Sequence, residues 1–360
     1  MSKKVAMTSL LTIMLLVGLV KLFPETIKET YAIGSTLADT VINAATTEAC
    51  NADGTGVCAT NAYTNPDGLP MYHDYRYRGA DPNNYVKFNN DLYRIIGVFD
   101  DITHGVEGQY LVKLIMSDKL YAGSWGIYST SDNVSNGTYS SYKNDWTGSV
   151  TGVKANANIL LNEYFYEKSN ISDAYGACSN WTYYYSNTNY RTYSCSDIVG
   201  HGIDSSLQNY IQETTWYLKG YTGNEYSKQN FYLCERGQST DTTNCMSGNS
   251  GAYDASTTGK IGLMYASDYL YASSYFADTS TQSGSSEYYG NKNWLYKGYE
   301  WTITPDADSS TDVFFVYSDG AVSSNSSNKG NGARPTLYLK SGVGITGGSG
   351  TINDPYIISS

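Results

Sequence analysis

Six cysteines in three close pairs constrain the fold of this chain more than any other sequence feature. The pairs are Cys50 with Cys58, Cys178 with Cys195, and Cys234 with Cys245. No Cys-x-x-Cys spacing occurs and only three histidines are present, whereas zinc sites usually combine such residues at short spacing. We therefore expect local disulfides, each stabilising its loop by about 2–3 kcal/mol, in an oxidising compartment. The sequence leaves their connectivity open.

The N-terminus agrees with export to such a compartment. Lys3 and Lys4 precede an uncharged, largely apolar run of 16 residues from Val5 to Val20. Basic residues before an apolar run orient it with its N-terminus inside the cell. The run is shorter than the about 20 residues of a spanning helix and longer than many signal-peptide cores. We expect residues 1–45 to form a retained membrane anchor and a stalk, with cleavage after Ala32 as the alternative.

The stalk has a partial parallel elsewhere. An apolar segment, Pro24 and a helix-compatible continuation over residues 25–45 loosely resemble the stem of a type IV pilin. The pilin signature, with a glutamate inside the apolar segment, is absent from this sequence. A pilus-like filament subunit is therefore kept as an alternative.

The composition argues against a nucleic-acid partner. The formal net charge is −11 and the chain has no basic run, while nucleic-acid affinity depends on Lys and Arg that neutralise phosphates. Charged residues make up only 16% of the chain, and 37 tyrosines outnumber 8 phenylalanines. Tyrosine buries its ring while its hydroxyl stays hydrated, so this composition suits half-exposed strands and wet binding surfaces.

Alternating and apolar runs predict a mixture of strands and helices. Strands are predicted at 85–88, 92–99, 110–116, 259–264, 300–303, 312–317 and 334–339. Helices are predicted at 155–166 and 203–216, and a helix or turn at 266–275. Turn-rich residues 46–70 predict a linker with a local disulfide, and 178–247 predict long loops held by two disulfides.

Two stretches resemble known domains. Residues 77–88 (YRGADPNNYVKF) with 92–98 (LYRIIGV) resemble an uncharacterised domain of surface and pilin-like proteins of gut bacteria. Trp301, Gly320 and residues 334–340 (RPTLYLK) resemble the formylglycine-generating-enzyme-like branch of the C-type-lectin fold. The resemblance covers about residues 75–360. It implies an α+β, C-type-lectin-like mixed fold with long disulfide-stapled loops, a globular domain over 71–360 that follows the N-terminal membrane helix.

Catalytic and metal-binding patterns are weak in this sequence. A formylglycine-generating enzyme would need a reactive cysteine pair, and we expect Cys234 and Cys245 to form a structural disulfide instead. The Glu-Pro-Asn or Gln-Pro-Asp motif of a calcium-dependent sugar site is absent, and so is a Gly-x-Ser-x-Gly elbow. Asp306, Asp308 and Asp312 could bind a hard cation, although a solvated acidic loop is favoured. We predict no catalytic residues, no metal and no cofactor.

Tyrosine-rich segments are the candidate ligand-binding residues. They are Trp181, Tyr183, Tyr184, Tyr185 and Tyr190 in the Cys178–Cys195 loop, and Tyr288, Tyr289 and Trp294 in a second cluster continued by Tyr296 and Tyr299. Tyr among Ser, Gly and Asn gives rigid contact area and adaptable hydrogen bonds, as in antibody paratopes. The alternative is that these rings pack loops onto the core.

These observations predict an adhesin-like module on the cell surface. Its partners would be an extracellular glycan or protein ligand, and the membrane through its N-terminal helix. The alternatives are a structural subunit of a pilus-like filament and a divergent formylglycine-generating-type enzyme.

Overall fold

A computed structural model describes residues 36–60, 74–126, 144–149, 154–169, 195–222, 227–238, 245, 254–274 and 292–359. The predicted membrane anchor lies almost entirely outside these ranges. Among the helices of the described residues, none has the length and apolar character needed to cross a membrane. The retained anchor and the cleaved signal therefore both stay predictions.

The described chain is mostly sheet with short helices, which confirms the predicted α+β class. The C-type-lectin-like topology stays a prediction. The strands are β1 (Gly56–Thr60), β2 (Asp74–Arg78), β3 (Tyr85–Phe88), β4 (Asp91–Phe99), β5 (Leu111–Met116), β6 (Tyr121–Gly123), β7 (Ile211–Gln212), β8 (Thr214–Tyr217), β9 (Ser256–Gly259), β10 (Ile261–Gly262), β11 (Glu300–Pro305), β12 (Asp312–Val316), β13 (Val322–Ser326), β14 (Asn331–Ala333), β15 (Thr336–Leu339), β16 (Gly344–Gly347) and β17 (Tyr356–Ser359).

The helices lie between these strands. They are α1 (Leu37–Asn43), α2 (Thr47–Cys50), α3 (Asp101–His104), α4 (Asn156–Asn158, continued as a π-helix over Ile159–Tyr166), α5 (Cys195–Gly200), α6 (Ser205–Gln208), α7 (Lys228–Glu235) and α8 (Ala266–Ala272). The predictions of a helix at 155–166 and of a helix or turn at 266–275 are confirmed by α4 and α8.

A large sheet forms the centre of the core. Its order is β10-β15-β5-β4-β3-β17-β16, and β2 pairs with the second half of β4 while β1 pairs with β2. Every residue of β5 is buried, as are seven of the nine in β4. Helix α1 packs against β4 and β5, and α8 packs against β2. Strands covered on both faces become continuous apolar runs, and β4 and β5 have this pattern.

The β3–β4 hairpin confirms the prediction made from its turn. Asn89 and Asn90 have φ of 54° and 65°, and Phe88 pairs with Asp91. Two successive residues with positive φ define the two-residue turn whose twist matches the strands, and asparagine tolerates this conformation better than most residues. The strand at 111–116 is likewise present as predicted.

A second sheet has the order β13-β12-β11-β14-β6. The predicted strand near 300 and the hairpin after 312 are confirmed as β11 and β12–β13. Trp301 of β11 is fully buried, its indole N–H donates to the Gly123 carbonyl at 2.9 Å, and its ring meets Phe315 edge-on. Trp301 therefore packs the middle of this sheet and joins β11 to β6.

The predicted helix over 203–216 is wrong for most of its length. Only Ser205–Gln208 is helical, and the chain then forms β7 and β8. Thr214 to Tyr217 pair with β9, whose residues are 256–259. β-branched and aromatic residues favour a pleated surface, and this distant partner strand decides their conformation.

The described part of the predicted linker over 46–70 contains a helix, a strand and the predicted local disulfide. Residues 47–50 form α2, and β1 pairs with β2 in the register Gly56 with Arg78. The Cys50–Cys58 disulfide joins α2 to β1. The turn residues between the two cysteines therefore reverse the chain inside the fold instead of separating two domains.

The predicted disulfides are present where the structure describes both cysteines. Cys50 pairs with Cys58, and Cys234 pairs with Cys245. Cys195 is also disulfide-bonded, and its predicted partner Cys178 lies outside the described residues. These disulfides confirm the expected structural role of the cysteines. One joins α2 to β1, and the other lies at the end of α7.

Candidate functional site

A groove of about 360 Å³ lies between α4 and the two-stranded β8–β9 sheet. Trp146, Asn158 and Asn162 form one side, and Trp216 with the segment 257–261 forms the other. Ligand pockets usually occupy about 300–1,000 Å³ and include a few fixed polar groups. The groove therefore has the size of a site for one small unit of a larger ligand.

Hydrogen bonds fix the floor of the groove. The Asn158 side-chain amide donates to the Trp146 carbonyl at 2.8 Å, and the Asn162 amide donates to the Ile261 carbonyl at 3.1 Å. The Ile261 N–H donates back to the Asn162 side-chain oxygen at 3.3 Å. These bonds tie α4 to β10, so the groove is held open by the fold.

The rim carries balanced charge and one half-exposed ring. Lys154, Lys260, Glu167 and Glu213 line the groove, so the formal charges of its two cations and two anions sum to zero. Tyr166 is half-buried and lies at the end of α4. A rim without net charge has no field to concentrate a polyanion or polycation, and it suits a neutral polar ligand.

The predicted binding residues are only partly placed. Trp181, Tyr183, Tyr184, Tyr185, Tyr190, Tyr288 and Tyr289 lie outside the described residues. Trp294, a predicted binding residue, is 3% exposed and its indole N–H donates to the Tyr77 carbonyl at 2.9 Å. Its ring covers the Arg94 guanidinium at 4.6 Å. Trp294 is therefore part of the core.

Two tyrosines of the second cluster lie near the surface. Tyr296 and Tyr299 are half-buried, and Tyr299 meets Tyr317 edge-on with 4.9 Å between ring centres. Tyr317 is 39% exposed. This small aromatic patch is the described remainder of the predicted tyrosine-rich surface.

The acidic segment at 306–312 is a hydrogen-bonded turn. Asp308 donates its N–H to the Asp306 carboxylate at 3.3 Å, and the Thr311 hydroxyl donates to Asp312 at 2.9 Å. Burial raises the pKa of Asp306 to about 6. Within the described ranges, no group of three or more His, Cys, Asp or Glu side chains converges as metal ligands would.

The core contains a group of charged side chains that was not predicted from the sequence, which we call the buried charge cluster. Its ion pairs are Arg76 with Asp74 at 3.0 Å, Arg76 with Asp268 at 3.1 Å, Lys113 with Asp268 at 2.6 Å, and Arg236 with Glu235 at 3.0 Å. None of these side chains is more than 1% exposed. A lysine inside the apolar strand 111–116 is the sequence signal that could have revealed the cluster.

Aromatic rings surround these charges. The Lys113 ammonium lies 4.4 Å from the centre of the Tyr265 ring and 5.2 Å from that of Tyr338. Burial lowers the pKa of Lys113 to about 8. Burial alone would raise the pKa of Asp268, but Lys113, Arg76 and Arg236 together hold it below its usual value. The cluster therefore combines a lysine whose charged form is disfavoured by burial with a carboxylate whose ionised form is favoured by its cationic neighbours.

His104, near the same core, gives a testable pH dependence. Its Nδ1 accepts the Val106 N–H at 3.2 Å and its Nε2 lies 3.1 Å from the Phe99 carbonyl, so both nitrogens are used by the neutral ring. Burial lowers its pKa from 6.5 to about 4. Between these values the unfolded chain binds a proton that the native protein does not, so stability falls as the pH falls.

We expect the native protein to lose about 3 kcal/mol more stability between pH 7 and pH 4 than a His104→Gln variant does. Urea unfolding at each pH measures the difference. His201→Gln is the matched control, because the His201 side chain is 56% exposed. Parallel pH curves for the native protein and His104→Gln would show that His104 does not titrate in this way.

Comparisons with known proteins give no match, since no family model, no curated protein and no solved structure is significantly similar to this chain. The groove, the disulfides and the buried charge cluster are therefore the features that bear on its function.

Proposed function

We propose that the protein is an extracellular, surface-displayed binding module that holds a neutral glycan in the groove between α4 and the β8–β9 sheet. The observation that carries this proposal is a polar groove whose rim has two lysines and two glutamates and hence no net charge. The extracellular setting is supported by the disulfides at β1 and α7. This groove replaces the tyrosine-rich loops of residues 181–190 and 288–294 as the proposed recognition site.

A sugar fits the groove better than a protein surface does. Sugar hydroxyls require donors and acceptors, and the exposed Glu213 and Thr258 with the half-buried Thr257 offer both. The apolar face of a sugar ring packs on aromatic rings, and Tyr166 offers such a surface. A protein partner usually covers about 800 Å² on each side, far more than this groove presents.

The proposal is tested by binding of the full chain to a glycan array, followed by calorimetry with the best neutral glycan. We expect Tyr166→Ala to weaken binding at least about tenfold, because the stacking surface is lost. Tyr110→Ala is the matched control, since Tyr110 is 39% exposed and does not line the groove. A second variant, Glu213→Gln, keeps the shape of the rim and should weaken binding less than Tyr166→Ala.

Two outcomes would contradict the proposal. One is the absence of glycan binding by folded, oxidised protein. The other is saturable binding that Tyr166→Ala and Glu213→Gln leave unchanged, which would place the ligand elsewhere on the molecule. Spontaneous assembly of the purified chain into filaments, without glycan binding, would instead favour the filament-subunit alternative.

A further inference from the structure

Lys113 and Asp268 bring an amine and a carboxyl group into contact in a dry part of the core. Lys113 lies in the middle of β5 and Asp268 in the first turn of α8, 155 residues further along the chain. The Nζ–Oδ2 distance is 2.6 Å, and both side chains are 0% exposed. Reacting groups held in contact and away from water gain the large advantage of an intramolecular reaction.

The Lys113 ammonium has more N–H donors than it has hydrogen-bond acceptors around it. An ammonium carries three N–H donors. Within the described residues, its hydrogen-bond acceptor is Asp268, and its other close neighbours are the rings of Tyr265, Tyr338 and Trp216. A buried donor without an acceptor costs about 1–3 kcal/mol. An amide nitrogen at the same place would carry a single N–H.

The balance of charges in the cluster also favours an amide between Lys113 and Asp268. Arg76 has Asp74 at 3.0 Å, and Arg236 has Glu235 at 3.0 Å, so each arginine keeps a carboxylate of its own. Lys113 and Asp268 form the third pair. Joining these two would remove one positive and one negative charge from the core and leave two matched pairs. This avoids part of the desolvation penalty that buried ions carry.

We propose that the native protein contains an intramolecular isopeptide bond between Nζ of Lys113 and Cγ of Asp268. In this step a proton first passes from the ammonium to the carboxylate across their 2.6 Å contact, against the preference for the ionised carboxylate that Arg76 and Arg236 create. The neutral amine then attacks Cγ, the Cγ–Oδ2 bond breaks, and Oδ2 leaves as water with the transferred proton and one proton of the amine. An ammonium and a carboxylate thus become one amide and one water, with no oxidant, reductant or cofactor.

Two neighbouring groups hold the Asp268 carboxyl group in place for the addition of the amine. The Arg76 guanidinium donates to Oδ1 of Asp268 at 3.1 Å, where negative charge develops when the amine adds. The Tyr265 backbone N–H donates to Oδ2 at 2.9 Å and fixes the carboxyl group at the start of α8. Burial also lowers the pKa of Lys113 to about 8, which makes the neutral amine accessible.

The test is mass spectrometry of the full chain, expressed through an oxidising export route, purified, reduced and alkylated. The expected intact mass is one water below that of the processed sequence. Digestion with trypsin should give a branched peptide that contains both Lys113 and Asp268, with no cleavage after Lys113. The peptide measurement does not depend on where the N-terminus is processed.

Variants make the assignment specific. Lys113→Met should restore the full mass and abolish the branched peptide. Asp268→Asn should still condense, but with loss of ammonia, and its product should have the same mass as the native cross-linked chain. Should a variant fail to fold, the native chain alone decides the matter. Full mass in the folded native protein, with normal cleavage after Lys113, would overturn the proposal and leave an ion pair.

Discussion

Replacing Arg76 with Met should lower the free energy of unfolding by about 3–5 kcal/mol, the usual cost of leaving a buried charge without its partner. Asp74 would lose its guanidinium partner at 3.0 Å, and its side chain is fully buried. This loss of stability should occur whether or not Asp268 is cross-linked to Lys113, because Asp74 takes no part in the cross-link. Urea denaturation followed by tryptophan fluorescence measures it.

A surface ion pair supplies the control for Arg76. Lys154 pairs with Glu163 at 3.1 Å, but the Lys154 side chain is 50% exposed. Lys154→Met should change stability by no more than about 1 kcal/mol, because water screens such pairs. Equal effects of the two variants would mean that the buried charge cluster contributes no more to stability than a surface pair.

Replacing Trp301 with Ala should cost about 3–5 kcal/mol, the range observed when a large buried aromatic side chain is removed. Its ring is fully buried in β11, 5.8 Å from the ring centre of Phe315, and its indole N–H donates to the Gly123 carbonyl, a hydrogen bond that Ala cannot make. The change should appear as a lower midpoint in both thermal and urea unfolding.

One further variant separates the packing of Trp301 from its hydrogen bond, and a second variant serves as the control. Trp301→Phe retains most of the packing and loses the hydrogen bond to Gly123, so it should cost less than Trp301→Ala. Tyr317→Ala, at a 39% exposed ring that directly follows β12, should cost less than about 1 kcal/mol. A Trp301→Ala protein as stable as Tyr317→Ala would show that the second sheet does not depend on this ring.

Local patterns made part of the fold predictable. The β3–β4 hairpin depends on Asn89 and Asn90 and on the apolar residues beside them, all within one short window. The segment 203–216 could not be predicted in this way, because β8 gains its strand conformation by pairing with 256–259. The apolar spacing of this segment is compatible with a helix, and only the distant partner excludes it.

The candidate sites were not predictable for the same reason, because their residues are far apart in the sequence. The groove combines residues from 146 to 261, so no single window of the sequence contains it. Trp294 and Tyr77 are 217 residues apart, and their hydrogen bond makes Trp294 a core residue where composition predicts a binding residue. For the buried charge cluster, Lys113 within an apolar strand is a readable signal, but its partner Asp268 is 155 residues away.

The two ends of the described chain meet at one edge of the large sheet. Thr36 bridges to Gly344 in β16, and Gly344 pairs with Ser359 in β17. Tension applied between residues 36 and 359 would therefore act on a few edge hydrogen bonds and would not pass through β4 and β5. The edge hydrogen bonds would break before the core is strained, so the chain would lengthen at this edge under load while β4 and β5 stay folded.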